Sequence, residues 1–389
     1  MKKQVLFFIE SLQCGGAEKS LISLLPLLDY SKMDVDLLLL KRGGLFEQYV
    51  PREVRIIDFN QRVSPWLYRI YQLRFSLRLR WNRLVGKKEH GAETRWKMMQ
   101  RAYTPLQKQY DVAIAYQQGF PTYYIIDKVD AGKKCTWINA DITQVGYDAR
   151  FNRSYYDKAD VIVPVSDRLK DILVVSDYVP ADKLFPVFDI VNPQLIRTMA
   201  KEPQGMMQNG GLKIVTVGRM VRLKGYDMAV EAARILRDRG LKFCWYFIGD
   251  GDDRTAVETL IDVYALQGYI KLLGEQANPY PYINACDIYV QTSRNEGFGL
   301  TIAEAKILRK PIVSTDFPVV HDQIIDGKNG LIAKMKPEDI ANKIMQLIND
   351  STLQEEIVRN LQREHNTTSE EECVKVNNII VGLAQQYAK

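Results

Sequence analysis

Two glutamates eight residues apart, Glu296 and Glu304, lie in the segment from Tyr289 to Thr315, YVQTSRNEGFGLTIAEAKILRKPIVST, with Phe298 held between Gly297 and Gly299 just ahead of a helical run. Glycine lets backbone approach a ligand closely, and the N–H groups of Leu300 and Thr301 open a helix that can receive an anion. The carboxylates accept hydrogen bonds from hydroxyls. A phosphorylated, hydroxyl-rich ligand would use all three features. Upstream, Gly218-Arg219-Met220-Val221-Arg222-Leu223-Lys224-Gly225 puts Arg219 and Lys224 in one loop. A planar guanidinium and a compact ammonium suit adjacent phosphates, whereas Arg222 reads as a solvated surface charge. Gly249-Asp250-Gly251 forms a further turn, weak evidence alone, and Leu273 with Gly274 offers backbone against which a flat base can lie.

These residues act together only if one scaffold brings them to one edge. In the second half, apolar runs at Lys213 to Val217, Phe243 to Ile248, Ile270 to Leu273, Ile288 to Gln291 and Pro311 to Ser314 alternate with helical patterns, among them Tyr226 to Arg237, Asp253 to Leu266 and Leu300 to Leu308. Such alternation predicts a parallel sheet, and open parallel sheets bind ligands outside the carboxyl ends of their strands. Every residue singled out above ends or follows a strand. The first half repeats the pattern, with strands at Val5 to Ile9, Val35 to Leu40, Val54 to Ile57, Val112 to Tyr116, Cys135 to Ile138 and Val161 to Val165. The expectation is an α/β protein of two Rossmann-like domains facing across a cleft, residues 1–195 and 211–368, joined by the polar stretch from Lys201 to Gly211. A last helix at about 369–389 is expected to return to the first domain.

The first strand ends in Gln13-Cys14-Gly15-Gly16-Ala17-Glu18. Gly15 and Gly16 read equally as amides turned toward a phosphate or as a plain strand-to-helix turn; a dinucleotide G-x-G-x-x-G is absent. Asp34-Val35-Asp36 has the form of a metal-binding DxD but enters a strand, at the end away from the expected site, so an edge role is preferred. Five scattered cysteines suggest reduced thiols and a cytoplasmic protein, and three separated histidines argue against a histidine-based metal site. The initial apolar run is broken by Glu10 after five residues, which reads as a strand rather than a signal peptide, and no window approaches the ~20 apolar residues of a membrane-spanning helix.

Residues 61–110 hold twelve Lys and Arg against two Glu, while the whole chain is only +6. Trp66, Leu67, Tyr68, Ile70, Tyr71, Leu73, Phe75, Leu77, Leu79, Trp81 and Trp96 are interleaved with that charge. The mixture suits a helix in an anionic headgroup layer; a helical hairpin with a solvated basic face is the alternative, and nucleic acid is disfavoured because no recognised binding motif accompanies the charge.

GGAE near the start, GRMVRLKG, IGDGDD, LLGEQANPYPYINACDIYVQTS and EGFGLTIAEA followed by KPIVST resemble the retaining glycosyltransferases of family 4, which have the two-Rossmann GT-B architecture. The resemblance covers most of the chain and is strongest from Lys213 to Ile332. It implies that Arg219 and Lys224 hold a donor diphosphate, that Glu296 contacts hydroxyls of the transferred sugar beside the amides of Phe298 and Gly299, that the amides of Leu300 and Thr301 meet the phosphates, and that Glu304 bonds the nucleotide ribose. Gly15 and Gly16 match the first-domain loop that closes over the phosphates. It implies a retaining, metal-independent reaction with no cofactor beyond a nucleotide-diphosphate sugar, UDP being the expected carrier of a hexose-type sugar. The acceptor would be a saccharide or lipid-linked saccharide of bacterial surface polysaccharide synthesis, bound to the first domain at the inner face of the membrane. One departure stands out: where many relatives carry a histidine facing the donor sugar, this chain has Asn139-Ala140-Asp141, in which Asn139 can bond a hydroxyl but carries no charge and Asp141 either substitutes or caps the next segment. A non-catalytic partner subunit or glycan-binding module, and a sugar-nucleotide epimerase, are the competing readings.

Overall fold

The structure, a computed structural model, describes residues 2–13, 15–60, 62–86, 89–203, 211–364 and 367–382. It divides into two units, Met1–Ile190 with Thr368–Lys389, and Val191–Thr367. The first contains β1 (Lys3–Ile9), α1 (Gly16–Leu24), β2 (Met33–Leu39), β3 (Val54–Asp58), α2 (Pro65–Leu84), α3 (Gly91–Met99), β4 (Tyr110–Ala115), α4 (Phe120–Lys128), β5 (Ala131–Ile138), α5 (Ala149–Tyr156), β6 (Val161–Pro164) and α6 (Asp167–Val174). Its six strands pair in parallel in the order β3-β2-β1-β4-β5-β6. Runs such as Val5 to Ile9 are buried on both faces, as strands covered by helices on either side must be. Around β1 an aromatic cluster closes the core: the Phe8 and Phe59 rings stack at 5.8 Å, and Trp96 and Tyr103 at 5.9 Å.

The second unit contains α7 (Pro193–Met199), β7 (Leu212–Val217), α8 (Tyr226–Asp238), β8 (Phe243–Ile248), α9 (Arg254–Val263), β9 (Ile270–Gly274), α10 (Tyr280–Ala285), β10 (Ile288–Gln291), α11 (Leu300–Ile307), β11 (Ile312–Thr315), β12 (Leu331–Ala333), α12 (Pro337–Asn349) and α13 (Ser351–Arg363). Its order is β12-β11-β10-β7-β8-β9, again all parallel. Trp245 Nε1 donates to Thr216 Oγ1 at 2.9 Å, and that hydroxyl donates to the Val290 carbonyl at 2.7 Å, so the central strands share a satisfied polar link inside an apolar core.

The units divide at Ile190, ahead of the break expected between 195 and 211. Helix α7 buries Ile196 and Met199, and the Met199 carbonyl accepts from Asn278 Nδ2 at 2.8 Å, which ties this helix to the second unit. Residues 204–210 of the expected linker lie outside the described residues. The last helix, α14 (Thr367–Val381), belongs to the first unit: Glu372 accepts from the Phe188 N–H at 2.8 Å and Cys373 Sγ donates to the Leu27 carbonyl at 3.2 Å. No helix among the described residues is long and apolar enough to cross a membrane.

Asp34 and Asp36 stand at the start of β2, where Asp36 has an architectural job. Arg55 donates to both its oxygens at 2.8 and 2.7 Å, and Lys108 and Tyr110 donate to Oδ2 at 2.9 and 2.8 Å. Burial alone would raise the pKa of this carboxyl, but the three donors outweigh it and hold it below the ordinary value of 3.8. A depressed folded pKa means stability present above the unfolded value and lost as pH falls through the folded one. Asp36→Asn is therefore expected to cost about 2 kcal/mol at neutral pH. In urea unfolding the variant and the parent should converge at pH values below the folded pKa; a gap that persisted there would contradict the ionic origin.

Candidate functional site

In the second sheet the chain runs outward from β7 through β8 to β9, then crosses back to start β10 on β7's other side. The switch point between β7 and β10 is where such sheets open a crevice at their carboxyl ends. Both loops that leave these strands are pinned to each other. Thr292 Oγ1 donates to the Lys224 carbonyl at 2.9 Å, the Arg294 N–H to the Leu223 carbonyl at 2.7 Å, and Arg294 forks onto Asp227 at 2.8 and 2.6 Å. Gly225 completes the crossing with φ +65°, its missing Cβ leaving room for the Thr292 oxygen.

Across this crevice Lys224 Nζ contacts both carboxylate oxygens of Glu296 at 2.6 Å. Ser293 Oγ and Gln291 Nε2 also donate to Glu296 Oε1, at 2.6 and 2.9 Å. Gln291 is aligned in turn: its Oε1 accepts from Tyr289 OH at 2.7 Å and Thr301 Oγ1 at 3.1 Å. Glu296 is thus fixed through Oε1, while its Oε2 faces Lys224. Arg219, on the same β7 loop, is exposed, and its side chain takes no hydrogen bond or ion pair among the described residues. Its neighbour Met220 donates its N–H to the Asp250 carbonyl at 2.9 Å, so the β7 and β8 loops lie together.

Gly249 is required there: at φ +140° a Cβ would lie 2.0 Å from the Gly218 oxygen, and one on Gly251 would lie 2.4 Å from the Met220 oxygen. Asp250 spends its side chain on its own turn, accepting from the Gly251 N–H at 2.7 Å and Arg254 Nη1 at 3.1 Å. Leu273 is half-buried at the end of β9, and its carbonyl accepts from Gln276 Nε2 at 2.7 Å. Gly299, with φ +84°, caps α11, and Gln323 Nε2 donates to the carbonyls of Phe298 and Gly299. Leu300 and Thr301 are the first residues of α11, where N–H groups have no preceding helical turn to bond. Glu304, one turn on, is not a solvated acid: it is 1% exposed and accepts from Tyr280 OH at 2.9 Å.

The first sheet has its own switch point, between β1 and β4. A pocket of about 350 Å³ opens there, lined by Glu10, His90, Arg95, Gln117, Gln118 and Tyr147 among others. The His90 and Tyr147 rings stack at 3.8 Å. Burial raises the Glu10 pKa against the lowering pull of Arg95 and Lys41, and burial lowers that of His90. Asn139 sits beside this pocket, its N–H on Gln118 Oε1 at 3.0 Å and its Nδ2 on the Tyr116 carbonyl at 2.9 Å. The Oδ1 of Asn139 and the Oε1 of Gln117 are buried without a hydrogen-bond partner among the described residues. Asp141 caps: its Oδ1 accepts from the Thr143 N–H at 2.9 Å and Thr143 Oγ1 at 2.6 Å. Gly15, in extended conformation, precedes α1, which begins at Gly16, and a Cβ on Gly15 would meet the movable Glu18 carboxylate.

Residues 201–364 match the sequence model of the family described as glycosyl transferases, group 1. The second unit is a group 1 glycosyltransferase domain. The chain spans about half the length of the first curated relatives it matches. It is 30% identical over 197 residues to the poly(ribitol-phosphate) alpha-N-acetylglucosaminyltransferase of Staphylococcus aureus, covering 49% of this chain and 39% of that one. A longer alignment, 24% identical over 339 residues, joins 85% of this chain to 86% of a Campylobacter jejuni enzyme named N-acetylgalactosamine-N,N'-diacetylbacillosaminyl-diphospho-undecaprenol 4-alpha-N-acetylgalactosaminyltransferase. Among solved structures, Anabaena HepE in complex with UDP and glucose superposes with a TM-score of 0.69 at 17% identity over 98% of this chain and 99% of that one. That likeness shows the fold, the two Rossmann-like units of GT-B glycosyltransferases.

Within the glycosyltransferase domain, sequence reasoning passed over Gln291, Ser293, Arg294 with Asp227, Tyr280 and Gln323, none of which stands in a glycine motif. Their common signal is position: each follows a strand or faces one that does. The pocket residues of the first unit were missed because Glu10, Arg95 and Tyr147 lie far apart in the chain.

Proposed function

We propose that the protein is a retaining glycosyltransferase that moves a hexose-type sugar from a nucleotide-diphosphate sugar, with UDP as carrier, to a saccharide or lipid-linked saccharide in bacterial surface polysaccharide synthesis. The observation that carries this reading is the Lys224–Glu296 contact at the β7–β10 switch point, beside the start of α11 and Arg219, whose side chain has no partner among the described residues. The names of the relatives support the donor and acceptor classes: HepE is held with UDP and glucose, and the C. jejuni enzyme is named for a diphospho-undecaprenol-linked acceptor.

In the proposed reaction the bond between the anomeric carbon and the β-phosphate oxygen breaks. The acceptor oxygen bonds that carbon on the same face, and the acceptor proton passes to a donor phosphate oxygen. Negative charge grows on the leaving diphosphate, and stabilising it is the main catalytic task. Arg219, Lys224 and the amides of Leu300 and Thr301 supply positive potential there without a metal. When Lys224 turns to phosphate, Glu296 keeps its place through Ser293 and Gln291, and Oε2 is left for a sugar hydroxyl. Glu304 holds the nucleotide ribose, with the Leu273 and Gly274 backbone under the base; Gly249, Asp250 and Gly251 shape the rim.

The acceptor saccharide is assigned to the first unit's pocket, where the stacked His90 and Tyr147 offer an apolar wall and Glu10, Gln118 and Arg95 offer polar groups to hydroxyls. Release of free nucleotide from a panel of donors, measured with and without membrane extract as acceptor source, tests the reading. A non-catalytic partner or glycan-binding module, which Asn139 in place of a histidine favours, would release none, and an epimerase would convert donor with extract omitted. Glu10→Gln is expected to raise the acceptor KM about tenfold to a hundredfold, the worth of a hydrogen bond to a charged group, and to leave donor hydrolysis without acceptor unchanged. Equal losses in both assays would remove Glu10 from the acceptor site.

A further inference from the structure

Helix α2 turns an apolar face toward water. Trp66, Ile70, Leu73, Leu77, Trp81 and Leu84 are 66, 45, 61, 54, 59 and 81% exposed. At 3.6 residues per turn their positions fall within an arc of about 80° along a helix about 30 Å long. The opposite side holds α2 to the first unit: Tyr68 packs edge-on to Tyr103 at 6.2 Å, and the buried Asn82 donates to Glu89 at 2.7 Å. The outward stripe is therefore not the helix's packing face. Contiguous exposed apolar surface of this kind marks a site of association.

The charge around the stripe selects the partner. Exposed Arg69 and Arg80 flank one side of the arc and exposed Arg74 the other, and α2 contains five arginines with no Asp or Glu. A second copy laid along the same stripe would bring arginine rims together with no acid on either helix to pair them, a like-charge cost. An anionic lipid surface satisfies both features: the apolar side chains enter the boundary of headgroups and acyl chains, and the arginines meet lipid phosphates. Trp96, grouped in the sequence with the same segment, takes no part, because it is fully buried on α3 and donates to Tyr155 OH at 2.7 Å.

We infer that the outward face of α2 docks the first unit in the plane of a bilayer rich in anionic lipid, with Trp66, Ile70, Leu73, Leu77, Trp81 and Leu84 entering the interface and Arg69, Arg74 and Arg80 on headgroups. This deepens the proposed function, since a lipid-linked acceptor would reside in that bilayer, and rests on that reading for its purpose. Its test does not, because it uses no nucleotide sugar and no acceptor.

Flotation with vesicles of phosphatidylcholine alone, and with about 30% phosphatidylglycerol added at about 0.1 M salt, reads the docking directly. Binding is expected only with the anionic lipid. The double variant Leu73→Glu, Leu77→Glu should abolish it, and Arg69→Gln with Arg80→Gln should weaken it about 25-fold, about fivefold per charge. All four side chains are exposed, so thermal unfolding serves as the folding control and should not move. No binding to the anionic vesicles, or undiminished binding by the glutamate variant, would overturn the inference. So would sedimentation showing a dimer that the glutamate variant converts to monomer, which would assign the stripe to a second copy.

Discussion

Alanine in place of Lys224 is expected to lower turnover of the nucleotide sugar about 10²–10³-fold, the usual loss when one preorganised stabiliser of a developing oxyanion is removed. It should also cost stability. Lys224 and Glu296 are 26% and 10% exposed at the side chain, and removing the ammonium leaves a mostly buried carboxylate with only Ser293 and Gln291 as donors. Stranding a charge in that position costs about 2 kcal/mol after allowance for its partial exposure. Arg219→Ala should reproduce the kinetic loss without the structural one, because Arg219 is exposed and has no side-chain partner among the described residues; surface changes of that kind stay within about 0.5 kcal/mol. Steady-state kinetics with the preferred donor, paired with thermal unfolding of the free proteins, separates the two. An Arg219→Ala protein that kept both its rate and its full donor-induced thermal shift would remove this side chain from the diphosphate site.

The difference between those two cations was not legible in the sequence. Glycine spacing and strand alternation located Arg219 and Lys224 on one loop, and the loop after Gln291 on the same edge, because a parallel sheet puts every strand-to-helix loop at one end. Strands Phe243 to Ile248 and Ile288 to Gln291 could be read to the residue, being apolar runs bounded by turn formers. Partner choice is another matter. That Lys224 rather than Arg219 meets Glu296 depends on a three-residue 3-10 turn, Arg222–Lys224, ended by Gly225 in the left-handed region, and no periodicity reports that. Glu304 was read by resemblance as a ribose contact, and its burial under a hydrogen bond from Tyr280, which comes from a different helix, left no mark in the sequence. In the first unit Asn139 attracted notice only through the missing histidine. Its unpaired buried oxygen beside Gln117 and Gln118 is a product of three strand ends meeting, which takes the β1–β4 switch point to see.

Gly225→Ala should be among the most damaging single-methyl changes in the glycosyltransferase domain, beside Gly249→Ala. At φ +65° alanine pays about 1 kcal/mol for the left-handed region. The new Cβ would also lie 2.1 Å from the Thr292 oxygen and 2.7 Å from Met228 Cε. Methionine can swing aside, but the Thr292 carbonyl cannot move alone: its residue donates to Lys224 and the next but one, Arg294, donates its N–H to Leu223 and forks onto Asp227. Relief of the clash must therefore part the β7 and β10 loops, surrender hydrogen bonds worth about 1 kcal/mol each, and draw Lys224 away from Glu296. A total near 3–4 kcal/mol is expected, with donor affinity lost alongside stability. Gly240 supplies the control, since it has φ +80° but nothing within 4 Å of the place an alanine methyl would take. Gly240→Ala carries the conformational cost alone, about 1 kcal/mol. Chemical unfolding of the two variants isolates the clash by subtraction, and equal losses would mean that the loops on either side of the switch point are free to separate, so that the site they form is not built in advance of its ligand.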